Sequence, residues 1–398
     1  MIEIIEKKNC CGCGACKAVC PTKAIKMQED EQGFLYPTID VEKCIGCNKC
    51  ENTCPISNHL EETKFDQRAF LLQHKNRTIL LESASGGAFS AIAETIIEMG
   101  GVVFGAEYDS KFNVVHGYVE NKTDLSKFRN SKYVQSDIRD SYEKVREFLK
   151  QKRYVLFSGT PCQIEGLLNY IGKDLEYLFT VDVVCHAVPS PAVWKTYLSI
   201  LNDKNIMNLR FRDKGRFGYL YSQFKIESLN NKYEGIETNI MLRAFFSEIC
   251  NRPSCYECKF KKRYRRSDFT IWDCFDIEKF TKSKNFNQQD GISRMIIHSV
   301  KGNTILSNLK EKCIIEEKDV EKILSYDSKE IFESVEKNEK YYCFWKDFAK
   351  DNVSTLLNYF SPSFSIKVEE AMRKIAYMLG IYPWIRKTYK VLFGNRRR

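Results

Sequence analysis

At 398 residues the chain exceeds an ordinary single domain, which points to a small module followed by one large domain with its own core. Its 43% apolar and 29% charged residues are ordinary for a folded soluble protein. The formal charge of +10 suggests a nucleic-acid binder until it is divided along the chain. Residues 362–398 hold nine Lys or Arg against Glu369 and Glu370, a net of +7, which leaves +3 for the other 361 residues. The body is nearly neutral, and the basic patches lack the interleaved aromatic platform or groove-reading motif of nucleic-acid recognition. The longest apolar stretch of the tail, Ile375 to Ile385, is interrupted by Gly380 and Pro383 and is too short to cross a bilayer.

Seventeen cysteines are present, nine of them between Cys10 and Cys54. No signal peptide precedes them, so they read as metal-binding thiols in a reducing, cytoplasmic compartment rather than as a disulfide framework. Cys10, Cys13, Cys16 and Cys20 recur as Cys44, Cys47, Cys50 and Cys54, each shifted by 34 residues, and Pro21 recurs as Pro55. Each half is C-x2-C-x2-C-x3-C-P, the spacing with which bacterial two-cluster ferredoxins hold their 4Fe-4S clusters. Three cysteines two residues apart wrap one face of a cubane in a tight loop, with Gly12, Gly14 and Gly46 between them. The fourth ligates the partner cluster. Cys10, Cys13, Cys16 and Cys54 are therefore assigned to one cluster, and Cys44, Cys47, Cys50 and Cys20 to the other; Cys11 receives no role. Paired zinc sites are the alternative, but zinc modules use two C-x2-C pairs and have no use for a triple plus Cys-Pro.

From about Phe65 apolar helices alternate with short β-rich runs, the rhythm of an α/β domain with a mainly parallel or mixed sheet. Helices are expected at Ala88–Met99, Ser141–Lys150, Gln163–Ile171 and Pro191–Leu201, and strands at Val102–Tyr108, Tyr154–Ser158 and Thr180–Cys185. Further strands are expected at Gln223–Leu229, Asp268–Trp272 and Arg294–Ser299. Lys367–Leu379 and Pro383–Phe393 read as two short basic amphipathic helices. The expected organisation is a ferredoxin-like α+β module over 1–60, a larger α/β domain over 65–340 and a helical basic tail over 341–398.

In the larger domain, Tyr154 to Ile171 reads as a strand running into a helix, with Thr160 as N-cap, Pro161 in the first turn and Cys162 after it. A thiol at that helix start is readily a thiolate. The next unit ends its strand at Cys185 and starts a helix at Ser190 and Pro191. Both cysteines would lie at the carboxyl edge of their strands, where α/β folds bind ligands. With Cys255 and Cys258 they make up a four-thiolate set. Alternatively they are packing residues, and Cys255 and Cys258 hold nothing or a structural zinc with other ligands. Cys250, Cys274, Cys313 and Cys343 read as core or surface thiols.

Ser85, Gly86 and Gly87 precede the helix at Ala88 and form a candidate phosphate cradle for a dinucleotide, though most such turns only start helices. Lys132 would add a charge nearby, unless it is a solvated lysine. His186 would hydrogen-bond a cluster or flavin, or cap its turn. Six basic residues from Lys259 to Arg266 read as a solvated face, or as a patch for an anionic cofactor or an acidic electron carrier.

Together with SASGGAF, GGVVFGAEYD, SKYVQS, GTPCQIEGL, DVVCHAVPSP, FRDK, RPSCYEC and SDFTI, the ferredoxin motif resembles the beta subunits of coenzyme F420 hydrogenases and dehydrogenases over roughly residues 1–300. The resemblance implies an FAD-binding iron-sulfur oxidoreductase with a third 4Fe-4S cluster at Cys162, Cys185, Cys255 and Cys258. It also implies electron exchange with a deazaflavin or another organic substrate, such as a surface-polysaccharide precursor. The alternative is an electron-transfer subunit without its own substrate, serving a partner enzyme. Where the family usually reads S-D-x-T-x-G-D-x-W-G, this chain has Trp272, Phe275 and Asp276 in place of glycine, tryptophan and glycine. Ala187 replaces the glycine after Cys-His, so bulk intrudes where a flavin pocket would lie. A ferredoxin or another redox protein is the expected partner, with the basic tail as an anchor on the inner membrane face.

Overall fold

The computed structural model describes residues 2–59, 62, 64–173, 175–201, 205–382 and 385. Thirteen strands run through these residues: β1 Ile25–Glu29, β2 Leu35–Ile39, β3 Arg68–His74, β4 Val102–Tyr108, β5 Val114–Val119, β6 Val155–Gly159, β7 Leu178–Val183, β8 Asn208–Asp213, β9 Gln223–Glu227, β10 Lys232–Glu234, β11 Phe269–Asp273, β12 Ser293–Ile297 and β13 Cys313–Lys318. Eight form one sheet in the order β13-β3-β12-β11-β7-β6-β4-β5. Its centre, β4-β6-β7-β11, is parallel, and every pairing outside that centre is antiparallel. The large sheet is therefore mixed, and the fold is α+β.

Alternation along the parallel strands explains why both faces of the sheet are covered. Val103, Leu156, Phe179 and Val181 point to one face, where Ala88, Ala91, Ile92 and Ile96 of the helix Ala88–Glu98 pack. Val102, Phe104, Val155, Phe157 and Leu178 point to the other, against Tyr142 and Val145 of the helix Ser141–Lys150 and Ile164 and Leu167 of the helix Pro161–Ile171. The first sixty residues join this second layer. Cys11, Cys13, Ala15, Cys16, Cys54 and Ile56 are buried in the same continuous core. Their antiparallel pair β1-β2 and the short helices Ala15–Val19 and Lys49–Thr53 make the ferredoxin-like portion.

Several expected elements lie where the periodicity placed them, including the helices at 141–150 and 191–201 and the strand at 102–108. Others differ. β3, β5, β8 and β13 have no counterpart in the sequence reading, and β3 lies one strand in from the sheet edge although it precedes the Ser85–Gly87 turn. The helices Tyr341–Phe348 and Asn352–Phe360 pack with Trp194, Phe211, Phe224 and Ala244 beside the small sheet β10-β9-β8, so the body extends past the expected limit at 340. The basic helix is present as Phe364–Met378. The second one, Pro383–Phe393, lies outside the described residues. Among the described residues no helix is long and apolar enough to cross a membrane.

Candidate iron-sulfur centres

Two groups of thiols follow directly from the repeated motif. Cys20, Cys44, Cys47 and Cys50 line one recess of about 370 Å³, so the crossing of the fourth cysteine to the other half is realised in space. The turns leading there are left-handed at Gly46 (φ 67°) and Asn48 (φ 54°). Burial opposes ionisation of Cys20, but Thr22 Oγ1 and the backbone N-H groups of Thr22, Ala24 and Ile25 donate to its sulfur and lower its pKa. This group is open to water, with Cys47 exposed and Val41 and Ile45 exposed beside it.

Cys10, Cys13, Cys16 and Cys54, all four buried, form the second group, called proximal here, the exposed group of Cys20, Cys44, Cys47 and Cys50 being distal. They sense one another electrostatically: Cys10 and Cys54 both push up Cys16, and Cys16 and Cys54 push up Cys13. Burial, the largest cause, raises the Cys16 thiol to about 12. Among the described residues no three His, Cys, Asp or Glu side chains meet closely enough for a single metal ion. A cubane gives each thiolate its own iron and needs a wider set than a single ion does.

A third recess, of about 520 Å³, is lined by Cys162, Cys185, Cys255 and Cys258. Cys162 follows β6 and Cys185 follows the adjacent β7, so neighbouring parallel strands deliver both to one edge. Cys255 and Cys258 arrive on the 3-10 turn Pro253–Cys255 and the residues after it. The recess is not neutral. Arg265 lines it with an Nη2 that is buried and has no hydrogen-bond partner, while its Nη1 holds Asp182 at 3.0 Å. Lys261 also lines it. Four thiols in a recess that Arg265 and Lys261 also line suit an anionic cluster. The helix start does not make Cys162 a ready thiolate, as the sequence suggested: contact with the Cys11 thiol and burial hold it well above the ordinary range. Cys11, given no role from the sequence, lines this recess with Cys162 and is buried in the same core cluster as Cys13, between the two groups.

The six residues expected to hold a flavin occupy separate settings. Thr160 N-H donates to Gln163 Oε1 at 3.0 Å, and Thr160 Oγ1 lies 3.1 Å from Cys162 Sγ. His186 lines the third recess and bonds Glu248 at 2.5 Å; burial opposes its protonation, but Glu248 and Glu330 raise its pKa to about 9. Lys132 donates to Lys127 O at 3.0 Å and Arg129 O at 3.3 Å, and burial lowers it to about 7. The Ser85–Gly87 turn is closed by packing. Gly86 N-H donates to Ser293 Oγ at 2.9 Å, Ser85 Oγ to Ile292 O at 2.6 Å, and Ser85 O accepts from Lys214 at 2.7 Å. A Cβ on Gly86 would stand 2.4 Å from both Leu72 O and Ser293 N, so β3 and β12 already require this glycine. Phe275 stacks on Tyr219 at 5.0 Å, Arg294 lies over Trp272 at 4.8 Å and Asp276 accepts from Tyr326 at 2.9 Å. Ala187 is buried and lines the third recess. The residues present do not fit the expected pyrophosphate cradle.

The basic run is not a solvated face. Lys262 and Arg266 pair with Glu165, Arg265 with Asp182 and Arg263 with Glu321, while Lys259 donates to Ile56 O and Lys261 to Glu330 O. It ties β7, the helix Pro161–Ile171 and the first module together. Sequence reading also missed Gly166, where a Cβ would lie 2.8 Å from Cys13 Sγ, so a glycine in GTPCQIEGL lets the helix approach the proximal group.

Two family models match the chain. Residues 9–58 match the 4Fe-4S dicluster domain, and residues 152–323 match the C terminus of the coenzyme F420 hydrogenase/dehydrogenase beta subunit. The thiol groups and these matches define an iron-sulfur electron-transfer protein. Residues 152–323 thus carry the C-terminal region of the coenzyme F420 hydrogenase/dehydrogenase beta-subunit family, and a dicluster domain precedes it in the same chain. Among solved structures it is similar to a chain of the F420-reducing nickel-iron hydrogenase complex from Methanosarcina barkeri, with 16% identity, a TM-score of 0.44 and coverage of 76% of this chain and 92% of that one. No curated protein matches the sequence.

If Gly86 serves strand packing, Gly86→Ala lowers the stability of the flavin-free protein by about 1–3 kcal/mol, the usual cost of overpacking. Thermal unfolding of the variant checks this. An unchanged midpoint together with loss of bound flavin would restore the pyrophosphate reading.

Proposed function

We propose that this chain moves electrons along three 4Fe-4S centres, from the exposed Cys20, Cys44, Cys47 and Cys50 group, past the buried Cys10, Cys13, Cys16 and Cys54 group, to the recess of Cys162, Cys185, Cys255 and Cys258. The observation that carries the proposal is the third recess: four thiols from distant segments face it beside the unpaired Nη2 of Arg265. Such clusters, when bound, exchange single electrons. The chain's own residues do the rest. Ile56 and Phe260 keep the third recess apolar on one side, Lys261 and Arg265 give it positive charge, and Cys11 bridges it to Cys13. A ferredoxin-like donor or acceptor docks at the distal group, where Val41, Ile45 and Cys47 are exposed.

A flavin site for hydride exchange with a deazaflavin or another organic substrate, a polysaccharide precursor included, is the second reading. Arg212 favours it. This buried arginine bonds Asp273 at 3.1 Å and Ser222 at 2.8 Å but leaves Nη2 without a partner. Rings connect it to the third recess: Tyr133 touches Arg212 and lies 6.4 Å from Phe246, which lies 6.0 Å from His186. Since Ser85–Gly87 is closed, no step is assigned to a flavin.

The chain also has a surface suited to an anionic bilayer. The helix Phe364–Met378 buries Glu370 and Ala376 and exposes Phe364, Val368, Met372, Ile375 and Met378, while the sequence around and beyond it is strongly basic. Cosedimentation with phosphatidylglycerol vesicles should fall at least tenfold in a Met372→Ser/Ile375→Ser/Met378→Ser variant. Equal binding by the variant would remove this surface.

Iron and acid-labile sulfide in anaerobically purified protein should come to about twelve each per chain, falling to about eight in Cys255→Ser/Cys258→Ser. About eight in both proteins would sink the third centre. Stoichiometric FAD in the same preparation would move the assignment to the second reading.

A further inference from the structure

Arg252 is fully buried and faces no carboxylate among the described residues. Its Nε donates to Cys10 O at 2.8 Å, Nη1 to Gln135 Oε1 at 2.8 Å, and Nη2 to Leu35 O at 2.9 Å and to Cys10 Sγ at 3.5 Å. Gln135 in turn donates to Cys11 O at 3.0 Å. The guanidinium lies over the rings of Tyr36 at 4.3 Å and Phe34 at 5.3 Å. Gly12, at φ 69°, completes the contact: a Cβ there would stand 2.7 Å from Arg252 Nη1.

An arginine keeps its charge in a protein, and burying a charge without a counter-ion costs several kcal/mol. The other deeply buried arginines have their anions: Arg265 has Asp182, Arg212 has Asp273 and Arg294 has Asp327. Arg252 has only sulfur in that role, with Cys10 in contact and Cys11 and Cys255 nearby. A counter-charge is thus required where the dicluster match and the four buried thiols place a cluster.

We propose that Arg252 is the counter-ion of the proximal cluster and raises its reduction potential above that of the distal one, so that electrons run inward. Burial of Cys10, Cys13, Cys16 and Cys54 by itself favours the less charged, oxidised state. A fixed positive charge donating to a ligand sulfur favours the added electron instead. In the transfer the distal centre gives up one electron and the proximal centre takes it; the guanidinium exchanges no proton. Among the described residues the distal recess has no arginine in its lining. The inference rests on the dicluster module alone and does not require the third centre.

Potentiometric titration followed by EPR on the full-length, anaerobically purified protein tests it, with the proximal and distal signals picked out among the cluster signals through Cys16→Ser and Cys47→Ser. In Arg252→Gln the proximal signal should need a potential at least 59 mV lower, a tenfold change for one electron, with the distal signal unmoved. Arg252→Lys should restore part of the difference. Two unchanged potentials in an Arg252→Gln protein of full iron content overturn the proposal. Should that variant fail to assemble, wild-type protein labelled with 15N-arginine decides: a 15N hyperfine coupling on the proximal signal supports Arg252, and no coupling on that signal overturns it.

Discussion

A thiolate buried among other thiolates is stable only if a cation shares the site, and this constraint organises the molecule from Cys10 to Cys258. As bare thiols Cys16 and Cys185 are each pushed up to about 12, with burial as the leading cause. Iron would reverse that cost and turn each group from a strained pocket into an anchor. Metal loading and folding are then one process, as in other small metal-bound modules. The short elements near the start, such as the five-residue helices Ala15–Val19 and Lys49–Thr53, are too short to hold themselves without it.

The same thiols explain how the module seats on the large sheet. Cys13 reaches the helix Pro161–Ile171 because residue 166 is glycine, and the loop around Gly12 closes on Arg252 and Gln135. Phe104, Phe157 and Tyr142 form the floor below. Cys11 and Arg252 border both the proximal group and the third recess, so packed side chains join the two. On the proposed path this packing would hold the spacing of the centres fixed, which single-electron transfer needs more than it needs any moving part.

How much of this was legible in the sequence depended on how local the signal was. The C-x2-C-x2-C-x3-C-P repeat points to its ligands through spacing alone, and Cys20 shares a recess with Cys44, Cys47 and Cys50 while Cys54 is buried in one core cluster with Cys13 and Cys16. The placement of Cys162 and Cys185 at one sheet edge was readable because each comes two or three residues after a strand that carries an apolar run. Arg252, Gly166 and Cys11 were not, since their partners lie up to 242 residues away and no periodicity marks them. The run from Lys259 to Arg266 looked solvated because its partners, Glu165, Asp182 and Glu321, are scattered along the chain. Ser85–Gly87 misled for a related reason. The turn has the composition of a phosphate cradle, but the unrecognised β3 and its neighbour β12 occupy it. The segment 341–360 was placed in the tail although its aromatic residues close a core around Trp194 and Phe211.

An iron anomalous-difference map from crystals of anaerobically purified protein tests the central claim most directly. Three separate peaks are predicted: one within Cys20, Cys44, Cys47 and Cys50, one within Cys10, Cys13, Cys16 and Cys54 beside Arg252, and one within Cys162, Cys185, Cys255 and Cys258. Iron confined to the first two, with an ordered third recess of bare thiols, would contradict the three-centre path and leave a dicluster carrier whose electrons go no further along this chain.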